Sequence, residues 1–326
     1  MGNPSTLSAY AALTTAAVVW GGSIVFQKLA LNFFSPVETS VLRGLGALAI
    51  LIPLWWWQEG GTARWSVKDW QVFTLLGLSV LGNHLLTLFG LRYIAAGAAG
   101  VIIGASPVIT AFLSSLLIQD VPFRAVVTGC AMSFAGVALV SGGGGGTAGE
   151  QPVIGGILVV LGLMSWALYT VGGRRIMERV SPLTVNWTTL LVSILFQIPL
   201  LWTDQKASIT GFGAVPLSGW LAVGYLVVFA TAIGQQAWLY GVKGLGPSRA
   251  GVFVNLIPVS ALVLSAIVLG ERIGSKEMIG ILMILAGVWL VNWQSARASA
   301  TLAATQVRAP LASDHEPGRR QEPHAE

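Results

Sequence analysis

Apolar residues run along this chain in blocks of about 20, separated by short breaks marked by glycine, proline and serine. A helix rising 1.5 Å per residue needs about 20 apolar residues to cross a bilayer, and that template fits ten times. The blocks cover residues 7–29, 36–57, 70–91, 95–118, 125–141, 153–173, 182–202, 220–240, 250–269 and 278–293. The breaks carry turn chemistry: Ser35-Pro36, Glu59-Gly60-Gly61, the glycine run 142–146, Ser181-Pro182 and Gly246-Pro247. The pattern predicts an all-α membrane protein with ten transmembrane helices. Connections this short leave no room for a separate soluble catalytic domain.

Composition excludes a water-soluble globule. Of 326 residues, 54% are hydrophobic and 10% charged, against roughly 25% charged in an ordinary soluble domain. Too few charges remain to cover a core of this size, and the solvent that accepts an apolar exterior is lipid. The formal net charge is +5, but the basic residues lie singly between apolar runs, with no stripe to track phosphates, so no nucleic-acid partner is expected. Cys130 is the one cysteine and reads as a small packing residue.

The first block has no basic n-region and is too long for a signal-peptide h-region, so it reads as a true span. From Gln294 the chain turns polar, and residues 294–326 are expected to be a disordered cytoplasmic tail. With a cytoplasmic N-terminus, twelve Lys and Arg fall inside and five outside, with Arg43 within a span; without the tail the ratio is eight to five. The positive-inside rule then puts both termini in the cytoplasm of a multi-pass inner-membrane protein. Trp55, Trp56, Trp57, Trp65 and Trp70 crowd the second connection, as an interfacial belt would.

The chain also repeats itself. An offset of 151 aligns Gly90 with Gly241, Ala99-Gly100-Val101 with Ala250-Gly251-Val252, Pro107-Val108 with Pro258-Val259, and Asp120 with Glu271. An offset of 146 aligns Trp20 with Trp166, Lys28 with Arg174 and Pro36 with Pro182. The difference places a five-residue insertion near 204–216. Residues 1–148 and 149–293 are therefore predicted to form two five-helix repeats. An odd number of spans makes the second copy enter the membrane inverted, the arrangement of secondary transporters, with a substrate site near the midplane between halves.

These residues resemble the drug/metabolite transporter superfamily, specifically its ten-helix EamA-type exporters. The resemblance rests on Trp20-Gly21-Gly22-Ser23, on Pro36 with Arg43, on AAGVIIGASPVITAFLSSLLIQD in the fourth span, on SWALYT at 165–170, and on AGVFVNLIPVSALVLSAIVLGE ending at Glu271. It covers about residues 7–293. One departure is that the Gly-Glu expected after the fourth span reads Gln119-Asp120. The resemblance implies a central cavity between halves, fifth and tenth spans used for packing or homodimer contact, and export of amino acids or other small metabolites.

Several side chains are candidates for that work. His84 lies at mid-span beside Asn83 and shares a face with Thr87; it either lines a cavity or bonds a neighbouring carbonyl to order the bundle. The repeat sets Gln235 opposite His84 and Trp238 opposite Thr87. Glu38 and Arg43 begin the second span; five residues is about 140° around a helix, so direct pairing is disfavoured. They form either a structural pair or a gate and carboxylate site. Pro107 and Pro258 interrupt the fourth and ninth spans, so kinks there either serve packing or bare carbonyls that Ser106 and Asn255 extend into a polar site. Trp20, Ser23, Trp166 and Tyr169 sit at matching depths and would wall a cavity if they face inward.

The predicted function is alternating-access export of a small organic molecule, without cofactor or metal. No acid lies deep in a span, so His84 is the one evident proton carrier, and facilitated diffusion stays open beside proton coupling. A polytopic enzyme acting on a lipid precursor is the alternative. It would need clustered acids or a metal set, and a channel would need a charged ring or filter; neither pattern occurs.

Overall fold

Serine side chains start four of the long helices. Ser5 caps α1 (Thr6–Ala30), Ser35 caps α2 (Pro36–Glu59), Ser66 caps α3 (Val67–Tyr93), and Ser181 caps a later helix, Pro182–Thr203. At Ser35 and Ser66 the acid three residues on, Glu38 and Asp69, bonds back to the serine amide, so two helix-end donors are satisfied reciprocally. The computed structural model describes residues 5–61, 65–117, 151–204, 213–245 and 252–270, with shorter pieces within 131–139, at 250 and within 274–293. After α3 come α4 (Ala96–Ile103), α5 (Ser106–Leu117), α6 (Pro152–Ile176), α7 (Pro182–Thr203), α8 (Leu217–Leu245) and α9 (Leu256–Leu269), the last preceded by a 3₁₀ turn, Val252–Asn255. Within α8, Leu226–Gln235 is π-helical. A short apolar helix, α10, covers Met278–Gly287.

Six of these helices, α1, α2, α3, α6, α7 and α8, are long and apolar enough to cross a membrane. The shortest, 22 residues, is about 33 Å long at 1.5 Å per residue, against a hydrocarbon thickness of about 30 Å. The polarity is turned inside out relative to a soluble fold. Leu75, Ile157, Leu195, Leu221 and Ile267 face outward, while Thr39, Ser40, Asn186, Thr188, Thr189, Ser193, Gln197 and Thr231 are buried. Thr188 and Thr189 return their hydroxyls to carbonyls one turn back, the usual way a helix satisfies such groups away from water.

The sequence offsets equate α1 with α6, α2 with α7, α3 with α8, and α4–α5 with α9. Every major packing between the halves then has its counterpart with the halves exchanged. α3 packs along α6 as α8 does along α1; α7 meets α3 as α2 meets α8; α1 leans on α9 as α6 leans on α4 and α5; and α2 packs on α7. Single contacts repeat as well. A Cβ on Gly90 would lie 2.8 Å from Val159 Cγ2, and one on Gly241 would lie 2.4 Å from Leu13 Cγ. Gly90 and Gly241 are one repeat position, and Leu13 and Val159 another, so the same close approach is made twice. Pro53 and Pro199, both interior to helices, are likewise equivalent under the 146 offset.

Helix four breaks at Gly104 and Ala105, where Gly104 N bonds to Val101 O and Ala105 N to Ile102 O in 3₁₀ fashion, one turn before Pro107. One expectation falls elsewhere: Trp55 does not belong to the interfacial belt. It is buried against Trp65 and Trp187, whereas Trp56 and Trp57 are exposed. Apart from a few helical positions within 131–139, the expected fifth span lies outside the described residues, as do Cys130, Asp120, the segment 205–212 and the tail.

Candidate functional site

Helices α1, α2, α3, α6 and α8, together with the broken fourth and ninth helices, converge on a cavity of about 90 Å³. At roughly 10–15 Å³ per water centre it has room for several waters or the polar end of a small solute. Trp20, Ser23 and Gln27 enter from one face of α1, at spacings of three and four residues. Asn83, His84 and Thr87 enter from α3, Arg43 from α2, Leu163 and Trp166 from α6, and Gln235 from the end of the π segment. Ile103 and Ser106 flank the break in helix four, while Val254 and Ile257 flank the 3₁₀-to-α junction. Four repeat-equivalent pairs thus line one space: Trp20 with Trp166, His84 with Gln235, Ile103 with Val254, and Ser106 with Ile257.

The polar groups are held individually. Asn83 Nδ2 donates to the Gly162 carbonyl at 3.0 Å, and Gln235 Nε2 to Tyr169 Oη at 3.3 Å. Ser23 Oγ donates to the Trp20 carbonyl at 2.8 Å and accepts from Gln27 Nε2 at 3.5 Å. Arg43, 7% exposed, donates from Nε to Thr231 Oγ1 at 2.6 Å. Among the described residues no Asp or Glu lines the cavity, so none of them sets a carboxylate beside the guanidinium charge there. His84 is 3% exposed and its Nδ1 has no hydrogen-bond partner among the described residues. Among the described residues no three His, Cys, Asp or Glu side chains gather as metal ligands would.

Of the eleven side chains singled out for binding, Trp20, Ser23, Asn83, His84, Thr87, Ser106, Trp166 and Gln235 line the cavity. Trp238 and Tyr169 stand one layer behind. Trp238 contacts the rings of Trp20 at 5.4 Å and Trp166 at 6.4 Å, and Tyr169 lies 5.1 Å from Trp166. Asn255 is half-buried between Val254 and the helix start, with Oδ1 unpartnered among the described residues. Glu38 and Arg43 do not meet: the Glu38 carboxylate closes the capping box on Ser35, while Arg43 turns to Thr231. Pro107 and Pro258 are not in the lining. Two polar residues passed unremarked in the sequence. Gln27 carried a signal, since it follows Trp20 by seven and Ser23 by four; Thr231, in an apolar stretch, carried none.

Away from the cavity, one end of the bundle is tied by polar contacts between halves. The Glu59 carboxylate accepts from Ser181 Oγ and from Thr184 Oγ1, and Arg179 Nη2 pairs with Asp69 Oδ1 at 2.9 Å.

The sequence profile of the EamA-like transporter family matches this chain twice, over residues 7–142 and 153–293. An uncharacterized transporter of Bacillus subtilis, YyaM, is 29% identical over 86% of this chain and 92% of its own length. An uncharacterized inner membrane transporter of Escherichia coli, YedA, is 26% identical over 88% and 91%, and an uncharacterized transporter of Archaeoglobus fulgidus is 26% identical over 86% and 96%. A solved crystal structure shares the fold, with a TM-score of 0.65 over 90% of this chain and 99% of that one, at 22% identity. With both halves matched and these relatives named as transporters, the chain belongs to the EamA-like transporter family and is a multi-pass membrane transporter, not an enzyme.

Proposed function

We propose that this transporter works by alternating access and exports small organic metabolites that carry a carboxylate, amino acids foremost, across the cytoplasmic membrane with both termini inside. The observation that carries the reading is the cavity itself: it lies between two sequence-equivalent halves and, among the described residues, presents Arg43 with no acid beside it. A buried guanidinium held by one neutral hydroxyl is completed by an anion from outside, and a carboxylate matches its fork geometry. The aromatic wall of Trp20 and Trp166 suits the apolar remainder of such a molecule.

The exchange-symmetric packing of the halves supports ten spans arranged as two inverted repeats, 1–148 and 149–293, because two similar bundles packed antiparallel have two interchangeable arrangements. His84 is the proposed proton carrier: it is the lining group that titrates near neutrality in water, and its Nδ1 is uncommitted. Trp238, Tyr169 and Asn255 complete the site from behind the lining. Dimer contact through the fifth and tenth spans belongs to the same proposal. Counterflow in proteoliposomes against labelled amino acids, polyamines, nucleosides and lipid precursors, with and without a pH gradient, tests it. Saturable counterflow of amino acids is expected. Counterflow confined to polyamines or nucleosides would overturn the carboxylate reading.

A further inference from the structure

The two halves differ by one residue at a place that matters to the cavity. Gly77 of α3 approaches Val192 of α7, where a Cβ would come within 2.6 Å of Val192 Cβ. Its counterpart joins Gly46 of α2, equivalent to Val192 under the 146 offset, to α8. The residue it meets is Val227, with Cγ2 2.6 Å from a Gly46 Cβ, one position short of the Val228 that the 151 offset assigns to Gly77. Further along, Gly90 and Gly241 keep the 151 offset through their contacts with Val159 and Leu13. Thirteen steps from Gly77 to Gly90 therefore correspond to fourteen from Val227 to Gly241. The five-residue difference between halves divides into four before Val227 and one inside α8.

A helix absorbs a single inserted residue as a π turn, and Leu226–Gln235 is π-helical. Two consecutive residues of that stretch hold cavity groups. The Ala230 carbonyl accepts from Trp20 Nε1 at 3.0 Å, and the Thr231 hydroxyl accepts from Arg43 Nε at 2.6 Å. Both residues are fully buried. A one-residue change of register turns a helix face by about 100°, so the insertion decides which side chain Arg43 meets. In α3 the position equivalent to Thr231 is Leu81 or Val80, depending on which side of the inserted residue it falls, neither of which carries a hydroxyl, and Thr189 stands where Arg43 stands in α2. The arginine and its hydroxyl partner thus occur in one of the two copies only.

We propose that Thr231 is the positioning residue for carboxylate recognition in this transporter. By occupying Nε it closes the side-on edge of the Arg43 guanidinium and leaves the end-on pair, Nη1 and Nη2, for a bidentate carboxylate in the cavity. The inference rests on the carboxylate reading of the site. A charge-assisted bond of this kind held in place corresponds to about tenfold in affinity.

The test is counterflow of each labelled L-amino acid in proteoliposomes, with the same amino acids and their amides as competitors. Thr231→Val is expected to raise the KM for the amino acid about tenfold, to leave maximal flux near wild type and to shrink the preference for amino acid over amide. Thr231→Ser restores both, and Thr231→Ala serves as the hydroxyl-free variant if the valine form is not monodisperse. Loss of the preference in Arg43→Gln with its retention in both hydroxyl-free variants overturns the role of Thr231 and spares the carboxylate reading. A preference that survives Arg43→Gln, or no amino-acid counterflow at all, overturns the carboxylate reading and the inference with it.

Discussion

Trp20 Nε1 donates to the carbonyl of Ala230 at 3.0 Å, so the first helix is bonded to the π turn of the eighth across the interface between halves. The repeat counterpart, Trp166, packs its ring edge-on against Trp20 at 5.3 Å, yet its indole N–H takes no carbonyl among the described residues. The two tryptophans are equivalent in sequence and different in work. Trp20→Phe should therefore lower the melting temperature in detergent by an amount corresponding to about 1 kcal/mol, and Trp166→Phe should leave it nearly unchanged. Equal losses in both would show that ring packing alone is at stake.

Buried histidine and glutamine at one repeat position face the same space. His84→Ala and Gln235→Ala should impair transport well beyond His315→Ala, a change in the tail, and equal effects of all three would remove the cavity from the transport path. His84→Gln keeps a polar group and discards the titration. It should retain counterflow and lose accumulation driven by a pH gradient; accumulation that persists in this variant assigns the coupling elsewhere or to facilitation.

Close approach at the two equivalent glycines has different surroundings. A Cβ at Gly241 meets three side-chain atoms of Leu13, whereas at Gly90 it also meets the backbone carbonyl of Gly155 at 2.9 Å. Both Gly→Ala changes should destabilise by about 1–3 kcal/mol through overpacking. Leu13→Ala should rescue Gly241→Ala, because the offending atoms are removed. Val159→Ala should fail to rescue Gly90→Ala, because the carbonyl stays. Thermal unfolding of the two double variants distinguishes these outcomes.

At the start of α3, Asp69 serves both as the acid of the capping box on Ser66 and as the partner of Arg179. It accepts from Ser66 N at 3.0 Å and Ser66 Oγ at 2.7 Å, while the Arg179 side chain is 67% exposed. Exposed ion pairs contribute well under about 1 kcal/mol, and a helix cap about 1 kcal/mol. Asp69→Ala should consequently cost clearly more stability than Arg179→Ala, and the ranking should hold in high salt. A larger loss for Arg179→Ala would mean that the tie between halves, not the cap, is the stronger element.

The helices could be read from the chain because a bilayer asks little of a span beyond length and apolarity, and serine or proline marks where each begins. The same solvent hides the inner face. In water a helix declares its buried side by an apolar stripe, but here lipid and protein interior are both apolar, so Leu163 in the cavity wall and Leu161 facing outward look alike in sequence. Polar residues escape that ambiguity. Trp20, Ser23, His84 and Gln235 stood out because a polar group in an apolar span needs a reason, and the repeat paired Trp20 with Trp166 and His84 with Gln235 in advance. Trp55 was misplaced for the converse reason: an amphipathic ring near a span end serves a membrane interface and a buried aromatic cluster equally well.

Sequence alone determined that this chain lives in a membrane, that it is built twice over, and which residue types stand at matching depths, because hydropathy and repetition are one-dimensional properties. Tertiary structure alone decided that Arg43 meets Thr231 of α8 and that Trp20 bonds to the Ala230 carbonyl. Those outcomes depend on the rotation of one helix about its axis relative to another, a quantity that no spacing along a single strand of residues contains.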